Sequence, residues 1–431
     1  MFDNEIMPIG EKIKNIRDMF GSSQRELAEG ICSINNISLL EKNRQNITYK
    51  LAVGIAANFN IIAQKKKINV VITADELIKD EDSQANNIFK NNIVNNLNKI
   101  KSLDLFEDDL YKAEELIEKY NIIDSNKIEL YKLAADFYYR EHIYTKSDEM
   151  CNKALKIDIH LKNIFDEINI YIYKSRNSIM QYHYTEALEQ LEYAENLNNS
   201  ICNDEFFERI FFSRALIYKK LNEYDKSLIY LDILISKIKD NNMFLKVKML
   251  HANCLNEQHK FEKSKKEYIE ILDIAMKIDN KDFISMAYRN LSELDLNKRD
   301  YKSAGKHIQD CLECNPNNEY LSENLYFAAK VLQNLNKEVE QYLLRALDIC
   351  EKKDRENLSL IEKVMYELLL IYIEKDDETN IMLIARKTET LNIDCCLIYS
   401  ELIYYYRERK KEKSVYFNRE LINKLKYIKK M

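Results

Sequence analysis

From residue 135 to residue 304 the chain repeats one pattern. Aromatic residues stand at Tyr144, Tyr184, Tyr224, Phe261 and Tyr301, spaced 40, 40, 37 and 40 apart. Each follows a short polar turn, as in KLNEYDKS, EQHKFEKS and NKRDYKSA. Three residues after each aromatic comes a small side chain: Ser147, Ala187, Ser227, Ser264 and Ala304. Nine residues before each comes another: Ala135, Ser175, Ala215, Ala252 and Ser292. Small residues at two independent offsets from a recurring aromatic describe a helical hairpin whose two helices cross so closely that only Ala or Ser fits. The aromatic plugs the corner. Helix-breaking residues are almost missing from this part of the chain, since Gly305 and Pro316 are the only glycine and proline beyond Gly54.

The aromatic and small positions fall where the tetratricopeptide repeat puts them, and the chain resembles that motif. The period near 40 exceeds the usual length of about 34 residues, so the helices are expected to be longer than standard. Less regular echoes near Phe106, Val339, Asp377 and Val415 extend the array to about eight or nine units from residue 100 onward. The fold expected is all-α, a superhelical tetratricopeptide-like α-solenoid carrying a compact head. In such arrays the first helix of each pair lines an extended concave face. The motif's geometry assigns to that face residues 4, 5, 8, 12 and 15 before each aromatic, among them Asn169, Arg176, Arg209, Lys220, Asn253, Asn256, Arg289 and Asn297. Asparagine amides can bond both N–H and C=O of an extended peptide, and arginine can clamp a carboxylate.

The head is set apart by its punctuation. Gly10, Gly21, Gly30 and Gly54 all lie between Ile9 and Ile62, with Pro8 just before them. Ile9, Ile13 and Ile16 mark one amphipathic helix, which Gly21 ends. Ser22 or Ser23 can cap a second helix, with Glu26 placed for a capping box behind Ser23. Leu27 and Ala28 supply its buried side. After the Gly30–Ser33 turn a short helix runs to about Lys42 with Ile37 and Leu40 inward. Charge separates head from body as well. Residues 9–67 carry ten Lys or Arg against five acids, a surplus of five, whereas the whole chain is −6. A basic head on an acidic body suits contact with phosphate at one end only.

The order IGEKIKNIR, SQRELA and LLEKN resembles the Xre/Cro-type helix-turn-helix, whose second helix lies in the major groove. The resemblance implies a pair between Arg17 and Glu41 and a phosphate contact for Gln24, at a helix N-terminus that favours anions. It turns Ile34, Asn35, Asn36, Ser38 and Leu39 toward the groove, with Lys42 and Arg44 completing the DNA-facing set. Leu39 departs from the family's polar side chain, which leaves Asn35 and Asn36 as base readers with adenine the favoured partner. Asn43 replaces the usual glycine, and asparagine tolerates the left-handed conformation.

Between head and body, residues 74–100 read as connecting helices with a break at Glu81–Ser83, and the run Lys65–Lys67 reads as solvated lysines. His307, Cys311 and Cys314 have helical spacing but no fourth ligand, and they are assigned to packing rather than metal. Cys395 and Cys396 read as core thiols. No Gly-rich phosphate loop, GxSxG or HExxH motif is present, so neither enzymatic activity nor a cofactor is expected. Nine cysteines without framework spacing suit a reducing cytoplasm, and neither a signal peptide nor a membrane-spanning run is seen.

A Xre-type head on a tetratricopeptide body resembles the RRNPP family, the cytoplasmic peptide-pheromone receptors of Gram-positive bacteria. The resemblance implies a helix-turn-helix domain at 1–67, a helical linker at 68–100 and a repeat domain at 101–431. It also implies a homodimeric transcription factor that binds double-stranded operator DNA and a short linear signalling peptide. The competing expectation is a repeat adaptor that sequesters a partner protein, with a head that no longer binds DNA.

Overall fold

A computed structural model describes residues 5–161, 163–352, 358–390 and 396–428. All regular elements among these residues are helices. They fall into two compact units, Met1–Ile217 and Tyr218–Met431.

The first unit opens with five helices: α1 (Ile9–Met19), α2 (Gln24–Ala28), α3 (Ile34–Glu41), α4 (Tyr49–Lys65) and α5 (Ala74–Ile78). Their starts are written locally. The side chains of Ser23, Ser33, Thr48 and Thr73 accept the backbone N–H three residues on, and Ser23–Glu26 and Thr73–Glu76 close full capping boxes. Ile13, Ile16, Phe20, Leu27, Ile37, Leu40, Ile55 and Phe59 form the core, to which Ile72 and Leu77 also belong. Phe20 and Phe59 meet edge to face at 5.8 Å.

α6 (Glu81–Ile88), a π-helical stretch (Phe89–Val94), α7 (Asn95–Leu97) and α8 (Leu103–Lys119) follow. The break expected at Glu81–Ser83 falls earlier, at Lys79–Asp80, because the Asp80 carboxylate accepts the Ser83 N–H and starts α6 there. Next come the pairs α9 (Asp124–Arg140) with α10 (Tyr144–Leu161), and α11 (Ile164–Met180) with α12 (Tyr184–Ile201). α13 (Asp204–Lys220) begins in this unit, and its last turn lies beyond the unit boundary.

The second unit continues with α14 (Tyr224–Lys237). It then repeats as α15 (Asn241–Glu257) with α16 (Phe261–Lys277), α17 (Lys281–Asn297) with α18 (Tyr301–Cys314), and α19 (Leu321–Gln333) with α20 (Glu340–Lys352). The pairs α21 (Leu358–Glu374) with α22 (Glu378–Thr390) and α23 (Cys396–Tyr406) with α24 (Lys411–Ile428) complete the array.

The physical basis of the repeat is visible in each pair. All ten small residues named from the period are 0 % exposed. At three crossings serine does more than stay small. Ser147 Oγ donates to Ala135 O at 2.7 Å, Ser264 Oγ to Ala252 O at 2.9 Å and Ser292 Oγ to Ala304 O at 2.8 Å. Each stitches the second helix to the first. The long period comes from first helices of 17 residues in α9, α11, α13, α15 and α17. The one short spacing, 37 rather than 40, spans α14, which has 14 residues where α10 and α12 have 18.

Two of the four irregular echoes were misplaced. Val339 and Asp377 directly precede α20 and α22, but Phe106 lies three residues inside α8 and Val415 four residues inside α24. Phe106 is buried and Val415 is 53 % exposed, whereas the five corner aromatics are half-buried.

A second regularity lay outside the sequence pattern. Two residues before each of the five aromatics the backbone is left-handed: His142 (φ 59), Tyr182 (φ 64), Asn222 (φ 61), His259 (φ 58) and Arg299 (φ 60). At each, the next N–H reaches back five residues to close a Schellman turn, as in Asp300 N to Asp295 O at 2.9 Å. A β-carbon in this conformation costs about 1–2 kcal/mol, and glycine avoids the cost. Arg299 is exposed. Arg299→Gly is therefore expected to stabilise the second unit by about 1 kcal/mol, read as a higher urea midpoint at unchanged slope.

Candidate functional site

Two arrangements of polar side chains stand out in the first unit, one in the head and one on successive first helices.

In the head, Glu41 at the end of α3 gathers three elements. Arg17 Nε on α1 reaches Glu41 Oε1 at 2.5 Å and Arg17 Nη2 reaches Oε2 at 3.2 Å, while Gln24 Nε2 on α2 donates to Oε2 at 2.7 Å. Arg17 Nη1 also holds the Ser22 carbonyl at 3.0 Å. The bond to Glu41 raises the Arg17 pKa above its ordinary value. The Arg17–Glu41 pair stands as the resemblance implies. Gln24, expected at a phosphate, has its amide nitrogen on Glu41.

Close approach sets the tilt of α3. A β-carbon on Gly10 would lie 1.8 Å from Leu40 O, and the Gly10 N–H donates to Asn43 Oδ1 at 2.8 Å. Asn43 takes the left-handed conformation, φ 53. Asn58 Nδ2 on α4 ties down Leu27 O and Glu29 O, both at 2.9 Å. α3 is thus fixed to α1 at its C-terminal end, and the end of α2 is fixed to α4. On it Ile34 and Asn35 are exposed, Asn36, Ser38 and Leu39 are half-buried, and Lys42 and Arg44 beyond its end are exposed. The lysine run divides: Lys66 Nζ caps α1 by donating to Phe20 O and Gly21 O, both at 2.6 Å, while Lys65 and Lys67 stay exposed.

On the first helices α9, α11 and α13, three of the predicted wall residues join one ladder. Arg176 Nη2 donates to Asp136 Oδ1 at 2.9 Å, and its guanidinium carbon lies 3.8 Å from the Tyr139 ring centre and 4.5 Å from that of Tyr173. Arg209 Nη1 donates to Asn169 Oδ1 at 2.7 Å, with Tyr173 and Phe206 each 5.9 Å away. Asn169 Nδ2 turns back to Phe165 O at 2.9 Å, so both ends of that amide are occupied. Asp136, Tyr139 and Tyr173 were not singled out from the sequence. Asp136 and Tyr173 lie 40 residues from Arg176 and 36 from Arg209, close to one repeat, and that register is the signal that finds them.

The second unit holds the remaining wall residues, and it scatters them. Asn253 Oδ1 accepts from Tyr268 OH at 2.6 Å and from Asn290 Nδ2 at 3.2 Å. Asn256 Oδ1 and Arg289 Nε are buried without a hydrogen-bond partner among the described residues. Arg289 lines a recess of about 270 Å³ with Glu323, Tyr326, Phe327 and Lys363. Lys220 and Asn297 are exposed at the last turns of α13 and α17. His307 pairs with Asp295 through Nδ1 at 2.9 Å, and Cys311 Sγ faces Ser285 Oγ at 3.2 Å. Cys395 lies outside the described residues.

Residues 222–390, fewer than half of the chain, match the family described as the C-terminal domain of suppressor of spindle checkpoint defect 1. No curated protein is significantly similar. Of solved structures, the chain resembles a signal transduction ATPase with numerous domains from Pyrococcus horikoshii that carries a tetratricopeptide repeat sensor. The identity is 14 %, with 99 % of this chain and 66 % of that chain covered and a TM-score of 0.54. The chain is a tetratricopeptide-like helical-repeat protein. It also resembles the apo form of the quorum sensor NprR from B. thuringiensis (17 % identity, 79 % and 97 % covered, TM-score 0.47). A third similar structure is aspartyl phosphate phosphatase F from Bacillus subtilis (12 % identity, 90 % and 94 % covered, TM-score 0.47). At these identities the likeness is one of fold.

No helix of this repeat protein is long and apolar enough, among the described residues, to cross a membrane. Its opening helices are fastened to the connecting segment by two buried polar groups. Gln84 Nε2 donates to Met7 O at 2.8 Å and Met7 N returns to Gln84 Oε1 at 3.3 Å. Lys12 Nζ donates to Glu76 O at 3.2 Å and Lys79 O at 2.8 Å. Burial, reinforced by Lys79, pulls the Lys12 pKa down to about 8. The unfolded chain then holds a proton that the folded chain has lost between pH 8 and the ordinary lysine value of 10.5. Stability contributed at Lys12 therefore rises with pH through that window and is lowest below pH 8. Relative to Lys12→Met, the native chain is expected to gain stability from pH 8 to pH 10, measured by urea unfolding at each pH.

Proposed function

We propose that this protein is a peptide-responsive, DNA-binding transcriptional regulator that acts as a dimer and has no enzymatic activity of its own. The observation that carries the DNA part is the Arg17–Glu41–Gln24 network. It ties α1, α2 and α3 together and leaves Asn35, Lys42 and Arg44 exposed on and just past α3. A short helix held this way, with amides at its N-terminal end and cations beyond it, suits reading base edges from the major groove while holding phosphate. Ile34, Asn36, Ser38 and Leu39 complete the face. Gln24 acts here by holding Glu41, so its removal would disturb the orientation of α3.

The peptide part is supported by the arginine, asparagine and aromatic ladder on α9, α11 and α13. Control of the head by a peptide requires the peptide to bind one head arrangement better than another. On α3 Ile34 is 47 % exposed and Leu39 is half-buried, which favours a second reading. In that reading the head meets a protein partner and the repeats act as an adaptor.

The test is fluorescence anisotropy of the full chain on its own upstream DNA against scrambled DNA, across a salt series. Tight binding to the native fragment alone supports the regulator. On that operator Asn35→Ala is expected to relax preference at one base position, a discrimination of about 1–3 kcal/mol. Arg44→Ala should weaken all sequences alike and lower the salt slope by about one. Equal loss on both DNAs from Asn35→Ala would sink its assignment as a base reader. Stoichiometric capture of one protein without any DNA binding would favour the adaptor.

A further inference from the structure

The charges on the ladder do not balance. Arg176 has a counter-ion in Asp136 at 2.9 Å. Arg209 has none within 4.0 Å among the described residues, and its one hydrogen bond goes to the neutral Asn169 amide. Burial pulls the Arg209 pKa below its ordinary value, and the electrostatic neighbours that act on it are Tyr173, Glu205 and Arg176. Two guanidinium groups on neighbouring first helices thus share Tyr173 and one directly paired carboxylate.

A desolvated cation without a counter-ion is costly, and a ligand that supplies one recovers that cost on binding. The guanidinium fork presents five N–H donors in a plane that matches a carboxylate in two parallel bonds. Asn169 takes one donor and turns its own amide nitrogen to Phe165 O, so it holds the fork in place and offers nothing further to a ligand. Tyr173 and Phe206 flank the guanidinium and keep its surroundings apolar, which strengthens any ion pair formed there.

We propose, resting on the peptide-binding reading above, that Arg209 is the seat for a carboxylate of the bound linear peptide, with Asn169 as its positioning residue. That carboxylate is either the peptide's free C-terminus or an Asp or Glu side chain. A peptide that is amidated and free of acidic residues is excluded, because it leaves half-buried Arg209 without a directly paired carboxylate.

The experiment uses the full chain and four pools of synthetic heptapeptides, with the C-terminus free or amidated and with Asp and Glu present or absent. Retained peptides are identified by mass spectrometry and titrated singly by calorimetry. Retention from pools with a carboxylate, and none from the amidated acid-free pool, is the expected result. Whether the free-acid pool or the acidic-residue pool is retained names the source. In Arg209→Gln the retained peptides should bind about 10- to 100-fold more weakly. Arg209→Lys should recover part of the loss by keeping the charge without the fork, and matched thermal unfolding of the three chains separates binding from folding. Equal retention from all four pools with no effect of Arg209→Gln overturns the carboxylate seat while leaving peptide binding intact. No retention from any pool removes both.

Discussion

Gly10→Ala is expected to unfold the head while leaving the helical repeats folded. The added β-carbon would lie 1.8 Å from Leu40 O, 2.9 Å from Leu40 C and 2.6 Å from Asn43 Oδ1. Two of these atoms are backbone at the C-terminal end of α3, so no side-chain rotation relieves the contact. α1 must move away from α3, and that movement strains the Arg17–Glu41 pair and the Gly10 N–H to Asn43 bond. Overpacking of this kind costs about 3 kcal/mol at its upper end, a large share of a small domain's stability. Limited proteolysis should cut within the first 80 residues of the variant and release the repeats intact, and under the proposed function DNA binding should be lost with it. Proteolysis identical to the native chain would show that α1 and α3 can separate cheaply, against the reading of Gly10 as the residue that sets their distance.

Ala252→Leu tests the repeat at a crossing in the second unit. Ala252 is fully buried, and its carbonyl accepts the Ser264 hydroxyl at 2.9 Å across the pair α15 and α16. Three added carbons have no room between two helices joined by that bond, and the expected loss is about 3 kcal/mol. Repeats that contact only their neighbours transmit such a defect to the adjoining interfaces, so unfolding should lose cooperativity as well as midpoint. The measurement is urea unfolding followed by circular dichroism. A loss of stability below about 0.5 kcal/mol would mean that the small residues are not steric requirements of the crossing.

Much of the architecture could be read from the chain because its determinants are local or repeat at a fixed distance. Ser23 with Glu26 announces a helix start, as Gly21 and Gly30 announce turns with φ +56 and +70. The period of 40 announces a pair of long helices, and the offsets of +3 and −9 name the crossing residues in advance. The left-handed residues before each aromatic escaped notice because no glycine marks them. His, Tyr, Asn, His and Arg occupy a conformation that the Schellman turn imposes despite the side chain.

The polar sites were less legible, for a different physical reason. Position within a repeat tells which way a side chain leaves its helix, and Asn169, Arg176 and Arg209 do meet on one ladder. It does not tell what each side chain finds there. Asn169 holds Arg209, Asn253 accepts from Tyr268, and Lys220 and Asn297 are exposed at helix ends. Gln24 donates to Glu41 across 17 residues, and Lys66 caps α1 across 45 and 46. Such bonds are chosen among several acceptors within a few ångströms, and the choice depends on how neighbouring helices are tilted and spaced.

From the sequence alone, then, come the all-helical class, the hairpin repeat with its crossing residues and the basic head, because periodicity, capping and charge act over short stretches. The tertiary structure alone decided which cations are balanced. Arg176 pairs with Asp136, and Arg209 lacks a counter-ion within 4.0 Å among the described residues, since pairing in the repeats is set by which helices lie side by side and not by the order of residues along the chain.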